Sequence, residues 1–184
     1  MGNPDDLIRL LAHSENLESL PRSGWLFGGV QNPESVASHS FNVAIVAMWI
    51  AEELGADVGR VAQMALVHDL AEAILTDIPG PAKRRIEGIA AVESQMADEI
   101  LKTTHFGDLY REYVLGESIE AKITKAADTV QMVAKACQYH RQHRGDVSRF
   151  LQPRTTGVEL ADACIRRLLE RSAKNDWSDL EYGS

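Results

Sequence analysis

"ALVHDLAEAILTDIPGPAKR", residues 65–84, is the stretch whose reading decides the fold. From Val61 to Leu75 the chain is apolar except at Gln63, His68, Asp69 and Glu72. A helix that is apolar all round is a central one. Positions i, i+3 and i+4 share a helical face, so Glu72 is expected one turn above Asp69 and His68. Two carboxylates and an imidazole in such surroundings cost several kcal/mol unless they are paired or hold a metal. A cation belongs there.

The neighbouring segments read as helices too. Asp57 is placed to cap "VGRVAQMALVHDLAEAILTD", and Pro79, Gly80 and Pro81 stop it. The preceding "ESVASHSFNVAIVAMWIAEELG" has Asn32 as candidate N-cap, Pro33 in its first turn and Gly55 to close it. A short helix near residues 4–13 and the loop "LPRSGWLFGGVQNP" lie before it. Downstream, helices are expected over roughly 83–102 and 106–115. A long one follows, capped by Ser118 and closed by Gly145, and then "GVELADACIRRLLERSAK" with a Thr156–Glu159 capping box and a polar tail. No run of alternating β-branched residues occurs. The expectation is therefore all-α, about six to seven helices in one bundle.

The 184 residues suit one domain, 1–184, with its core in about 20–145. No repeat or low-complexity linker divides it. A net charge of -8, from 27 acidic against 19 basic residues, argues against a nucleic-acid polymer as partner. A small anionic substrate would need local positive charge. Cys137 and Cys164 stand in apolar helical runs without a CxxC pair and read as core residues. The N-terminus carries acids where a secretory leader needs bases, Asp6 breaks the myristoylation pattern, and no apolar run approaches ~18 residues. These features predict a soluble cytoplasmic protein without a membrane partner.

Candidate partners for His68 and Asp69 lie on two other helices. His39 sits in the first turns of the preceding apolar helix, and Asp128 interrupts "ITKAADTVQMVA". Two His and two Asp from three helices can converge on one ion inside a bundle. That donor set suits a divalent Mn, Fe, Co, Ni or Zn.

The order His39, His68-Asp69, Asp128 resembles the H…HD…D pattern of the HD-domain metal-dependent phosphohydrolases. The likeness extends through "RSGW", "PESVASHS", "ALVHDLAEAILTDIPGPAK" and "EAKITKAADTVQM", and these are similar to the 5'-deoxynucleotidase branch. The resemblance implies an HD-domain helical bundle, one divalent metal on those four residues, and a homodimer. It also implies hydrolysis of deoxyribonucleoside 5'-monophosphates by water activated at the metal. Glu72 would then orient or deprotonate that water. Its bland alternative is a partner that orients a ligand histidine.

Asp77 could protonate the leaving oxygen or hold the sugar 3'-hydroxyl, and could equally be a turn or cap residue. Arg22 and Lys83 are candidate phosphate clamps, and Arg84 and Arg85 could steer anions near the pocket mouth. Trp25 could pack on sugar or base, where the resemblance implies disfavour of a 2'-hydroxyl, or could anchor its loop to the core. His140 and His143 read as surface charge at a helix end, and His13 and His105 have no constellation around them.

Two features depart from the family pattern: Ser38 stands where an acid often precedes the first ligand histidine, and two residues separate Arg22 from Trp25. Both bear on substrate choice. A deoxynucleoside triphosphate triphosphohydrolase of the phage dATP-hydrolase kind is the near alternative, with "KRR" for the extra phosphates. A non-catalytic nucleotide-binding HD module is the alternative from another class.

Overall fold

The computed structural model describes residues 3–180, so Gly2 and the end of the polar tail lie outside the described residues. Ten α-helices follow in order: α1 Pro4–Ser19, α2 Ser23–Leu26, α3 Val36–Leu54, α4 Val58–Val67, α5 Glu72–Leu75, α6 Gly80–Lys83, α7 Ile89–Leu101, α8 Phe106–Leu115, α9 Ile119–Arg141 and α10 Glu159–Lys174. Seven of them run ten residues or more, and α2, α5 and α6 are single turns of four. No strand occurs among the described residues, and the extended pairing there is a single bridge between Pro21 and Ser35. Nor is any described helix long and apolar enough to cross a membrane. The all-α expectation holds.

Helix α3 is central. It packs on both α4 and α9, which also touch each other, and α10 packs in turn on α9. Val43, Ala47 and Ile50 of α3 are fully buried with Val61 and Ala65 of α4 and Ile123 and Val133 of α9. Ala47 and Ala65 among them let α3 and α4 pack closely. A second cluster, Leu17, Val36, Val67, Leu70, Leu101 and Tyr110, closes the other end. Helix α1 reaches Ser19, six residues beyond the expected end, because Leu17 is buried in that cluster. Cys137 is buried, Cys164 is half-buried, and neither is in a disulfide.

Several boundaries move from their expected places. Asn32 does not cap α3: its φ is +49°, and Arg144 Nη2 donates to its carbonyl at 2.7 Å. The chain stays extended through Glu34, with Arg22 N donating to Glu34 O at 3.0 Å, so Pro33 lies outside the helix. Ser35 takes the cap, its side chain accepting from Ser38 N, a contact worth about 1 kcal/mol. Gly55 closes α3 at φ +68°, as expected, and Asp57 and Ser118 cap α4 and α9. The helix expected over 83–102 begins late: residues 84–88 are turns after α6, and α7 starts beyond Gly88, whose φ is +77°.

The long helix α9 ends at Arg141 and not at Gly145. Gly145 instead serves a close backbone approach, since a Cβ there would stand 2.4 Å from Gly28 O. The Thr156–Glu159 box is replaced by a related arrangement. Thr156 Oγ1 accepts from Val158 N, and Asp162 Oδ1 accepts from Thr156 N at 2.7 Å.

The largest correction falls on the opening stretch. The helix expected to run from Asp57 to Asp77 stops at Val67, and His68–Ala71 form turns before α5. Hydrogen bonds there switch to the tighter i to i−3 spacing, from Leu70 N to Val67 O, Glu72 N to Asp69 O and Ala73 N to Leu70 O. His68 contributes to the break. Its Nδ1 lies 2.7 Å from Ala65 O, the carbonyl that an uninterrupted helix would offer to the Asp69 N–H.

Candidate metal centre

Three elements bring the polar residues together. His39 projects from the second turn of α3, His68 and Asp69 from the turns ending α4, and Asp128 from the middle of α9. His39 Nε2 lies 3.6 Å from Asp69 Oδ2 and 3.2 Å from Asp128 Oδ1, while His68 Nε2 lies 3.2 Å from Asp69 Oδ2. Ligand atoms of His39, His68 and Asp69 all fall within 4.8 Å of one another. Asp128 joins them through His39.

The chemistry of this donor set fits a metal. His39 Nδ1 lies 2.7 Å from Gln131 Oε1, and His68 Nδ1 lies 2.7 Å from Ala65 O. Both oxygens can only accept, so in the neutral imidazole each Nδ1 carries the proton and each Nε2 presents the lone pair that a metal would take. Both Nε2 atoms are buried without a hydrogen-bond donor facing them. Two imidazoles whose far nitrogens are pinned and whose near nitrogens converge on carboxylates form the usual cradle of a divalent ion.

Electrostatics match the arrangement. Burial raises the Asp69 carboxyl, but His68, Arg22 and His39 outweigh it and hold the group far below the usual carboxylate range. Asp128 is likewise lowered against its burial, chiefly by the hydrogen bond and charge of His39. His68 is raised: burial pulls it down, and Asp69 more than compensates. Glu72 is pushed up to about 9 by burial first and then by Asp69 and Asp77. A divalent cation beside Asp69 would reverse that repulsion.

Around the centre stand the other sequence-derived candidates. Arg22 Nη1 donates to Asp69 Oδ2 at 2.9 Å and lies 3.8 Å from Asp77 Oδ1. Glu72 is buried on α5, with Oε1 3.3 Å from Lys83 Nζ and Oε2 without a partner. Lys83 also contacts Glu93 of α7 at 2.7 Å, so its ammonium is shared by two carboxylates. Asp77 accepts from the backbone N–H and the hydroxyl of Ser23, which places it as the cap of α2. Trp25 is 3% exposed and packs edge-on against Tyr139 and tilted against Phe150, so its indole faces the core and not the cleft. Arg84 and Arg85 are exposed.

The sequence reading missed Gln131, Glu34, Glu93 and Tyr113. Gln131 stands three residues after Asp128 on one helix, so its place beside the ligand face was readable from spacing. Tyr113 of α8 sets its ring edge-on to His68 at 5.4 Å. Glu34 and Glu93 come from remote segments, and no local pattern marks them.

The chain is similar to proteins already known. Residues 14–163 match the family model described as HD domain. The chain is 36% identical to the human 5'-deoxynucleotidase HDDC2 over 141 residues, covering 72% of this chain and 68% of the human one. It is 32% identical to the 5'-deoxynucleotidase hdd1 of Schizosaccharomyces pombe over 156 residues, 78% of either chain. Among solved structures, a Pyrococcus horikoshii protein superposes with a TM-score of 0.76 at 34% identity, covering 91% of this chain and 98% of that one. A Magnetospirillum magnetotacticum protein described as a predicted metal-dependent phosphohydrolase shares the fold, at TM-score 0.68 and 20% identity over 94% of each chain. With His39, His68 and Asp69 gathered at one centre, Asp128 beside His39, and the family match spanning most of its length, this chain belongs to the HD domain family.

Proposed function

We propose that the protein is a divalent-metal phosphohydrolase that removes phosphate from deoxyribonucleoside 5'-monophosphates, working as one HD domain over residues 1–184. The observation that carries this reading is the pair of buried imidazole nitrogens, His39 Nε2 and His68 Nε2, converging without donors beside Asp69 and Asp128. Relatives named 5'-deoxynucleotidase, at 36% and 32% identity, support the substrate class. His39, His68, Asp69 and Asp128 would hold the metal, with Mn, Co, Fe, Ni and Zn all compatible with the donors. When bound, the metal supplies a Lewis acid that makes water a stronger nucleophile and offsets phosphate charge.

The chain's own residues divide the remaining work. Glu72 carries a buried, unpartnered Oε2 next to the centre and accepts the proton of the attacking water. Arg22, held on Asp69, and Lys83, held on Glu72, clamp the phosphate oxygens as the substrate enters. Asp77 keeps Oδ1 on the Arg22 side for the leaving oxygen's proton or the sugar 3'-hydroxyl. Trp25 takes its other role and anchors the Arg22 loop to the core, packed on Tyr139 and Phe150. We place the protein in the cytoplasm as a homodimer. Support for the dimer is the exposed apolar stripe of Phe41, Ile45 and Trp49 on α3, 60%, 49% and 48% exposed at i, i+4 spacing.

Phosphorus NMR of the products tests the function. Metal-stripped protein reconstituted with Mn²⁺ or Co²⁺ is given deoxy and ribo mono- and triphosphates. Orthophosphate from deoxy monophosphates is expected. Tripolyphosphate from a deoxy triphosphate would instead make it a triphosphohydrolase, and no product with any metal would leave a binding module.

A further inference from the structure

We propose that Glu34 is a positioning residue that fixes the tautomer of His39 through Gln131 and thereby sets the affinity of the metal centre. This rests on the metal reading of the site. The Glu34 side chain is 3% exposed, and both its oxygens face donors. Oε1 accepts from Trp25 Nε1 at 3.1 Å, while Oε2 accepts from Gln131 Nε2 at 2.9 Å and lies 3.5 Å from Lys135 Nζ. An indole N–H and an ammonium can only donate, so Glu34 meets them as an acceptor at both oxygens.

That polarity propagates. Glu34 demands the NH₂ end of the Gln131 amide, which leaves only the carbonyl end for His39 Nδ1, 2.7 Å away. A carbonyl can only accept, so His39 must protonate Nδ1 and free Nε2 toward Asp69 and Asp128. An amide alone would not enforce this, because rotating it by half a turn would offer N–H to the ring and put the ring proton on Nε2. The buried carboxylate removes that second state. Carboxylate–histidine–metal triads achieve the same directly, and here an amide is interposed.

The backbone of Glu34 ties the phosphate side to the same point. Glu34 O accepts from Arg22 N at 3.0 Å, and Glu34 N donates to Tyr139 Oη at 2.7 Å. One residue thus orients a ligand histidine and anchors the strand-like segment that carries the guanidinium.

The test exchanges polarity without changing size. In Glu34→Gln, the new amide cannot accept from both Trp25 and Gln131, and the Gln131 amide turns over. Three readouts apply. Nitrogen NMR of metal-free protein with labelled histidine reports the His39 tautomer, Co²⁺ absorption titration reports affinity, and thermal melting reports folding. Glu34→Gln is expected to move the His39 ring proton toward Nε2 and to raise the Co²⁺ Kd about 10–100-fold. The double variant Glu34→Gln with Gln131→Glu restores an acceptor at His39 and an N–H facing it from position 34, so it should regain the Nδ1–H tautomer and most of the affinity. An unchanged tautomer in Glu34→Gln, or a folded double variant that fails to regain it, overturns the proposal. Should wild-type protein bind no Co²⁺, the metal reading fails while the tautomer exchange remains measurable on its own.

Discussion

Arg22 Nη1 rests on Asp69 Oδ2 at 2.9 Å, so the guanidinium engages the same oxygen that lies 3.2 Å from His68 Nε2. The charged form of Arg22 is reinforced: burial opposes it, and Asp69, Asp128, Asp77 and Glu72 together outweigh that cost. Arg22 and a divalent ion therefore compete for one carboxylate until a phosphate draws the guanidinium away. Arg22→Ala is expected to bind Mn²⁺ more tightly than wild type in the absence of substrate, by calorimetry. Its kcat/KM should fall about 10²-fold, the usual cost of losing a donor to transition-state charge. Weaker Mn²⁺ binding in the variant would refute the competition.

Replacing His68 or Asp69 with Ala should abolish both metal binding and turnover. Glu72→Gln should keep the metal and lose about 10²–10⁴-fold in kcat, the range of a general base. Metal content by mass spectrometry, set beside the rate, separates these cases. A Glu72 variant with full activity removes it from the chemistry.

Stability should respond to pH in opposite ways with and without metal. In the metal-free chain Glu72 keeps its proton up to about 9, against 4.5 ordinarily. Its contribution to stability is full below about pH 4.5 and is lost as pH rises through about 9. His68, also raised, is lost in the same direction from its ordinary 6.5 upward. Metal requires neutral imidazoles and ionised carboxylates, so its stabilisation grows with pH. The gap in melting temperature between Mn²⁺-loaded and chelated protein should widen from pH 5 to 8, and Glu72→Gln should flatten the chelated curve. A constant gap would contradict both assignments.

Much of the site was legible before the fold was. The three polar residues at 68, 69 and 72 announced a cation because burying them is otherwise costly, and His39 and Asp128 stood out as polar interruptions in apolar helices. What was not legible is the shape of the backbone beneath them. Periodicity runs straight through His68–Ala71, yet the histidine ring bonds a carbonyl of its own helix and the chain tightens there. Long-range partners were hidden as well. Glu34 reaches Gln131 across 97 positions, and pairing at such separation leaves no mark in a local window.

Two backbone substitutions should move stability in opposite directions. Thr76 holds φ +68° and ψ 165°, a region suited to glycine, immediately before Asp77. Thr76→Gly relieves about 1–3 kcal/mol of strain against about 0.5–1 kcal/mol of added chain entropy, so the melting temperature should rise by about 2–4 °C. Gly28→Ala would drive a Cβ to within 2.3 Å of Asp146 O and should cost about 1–3 kcal/mol. Its KM should rise as well, since this loop carries Arg22. A Gly28→Ala melting curve matching wild type would show that the segment yields.

The clasp between the Arg22 loop and the segment after α9 also limits where the chain can change length. Asp146 N donates to Gly28 O, Arg149 Nη2 to Gly24 O, and Arg144 Nη2 to Asn32 O. Asp128 and Gln131 ride on the helix that leads into that clasp. One inserted residue between them would swing everything beyond it by about 100°, parting the phosphate side from the metal side. Insertions should accordingly be tolerated in the turns around residues 84–88 and 102–105 and should split the site between 128 and 149, so the helix serves as the gauge that keeps its two halves in register.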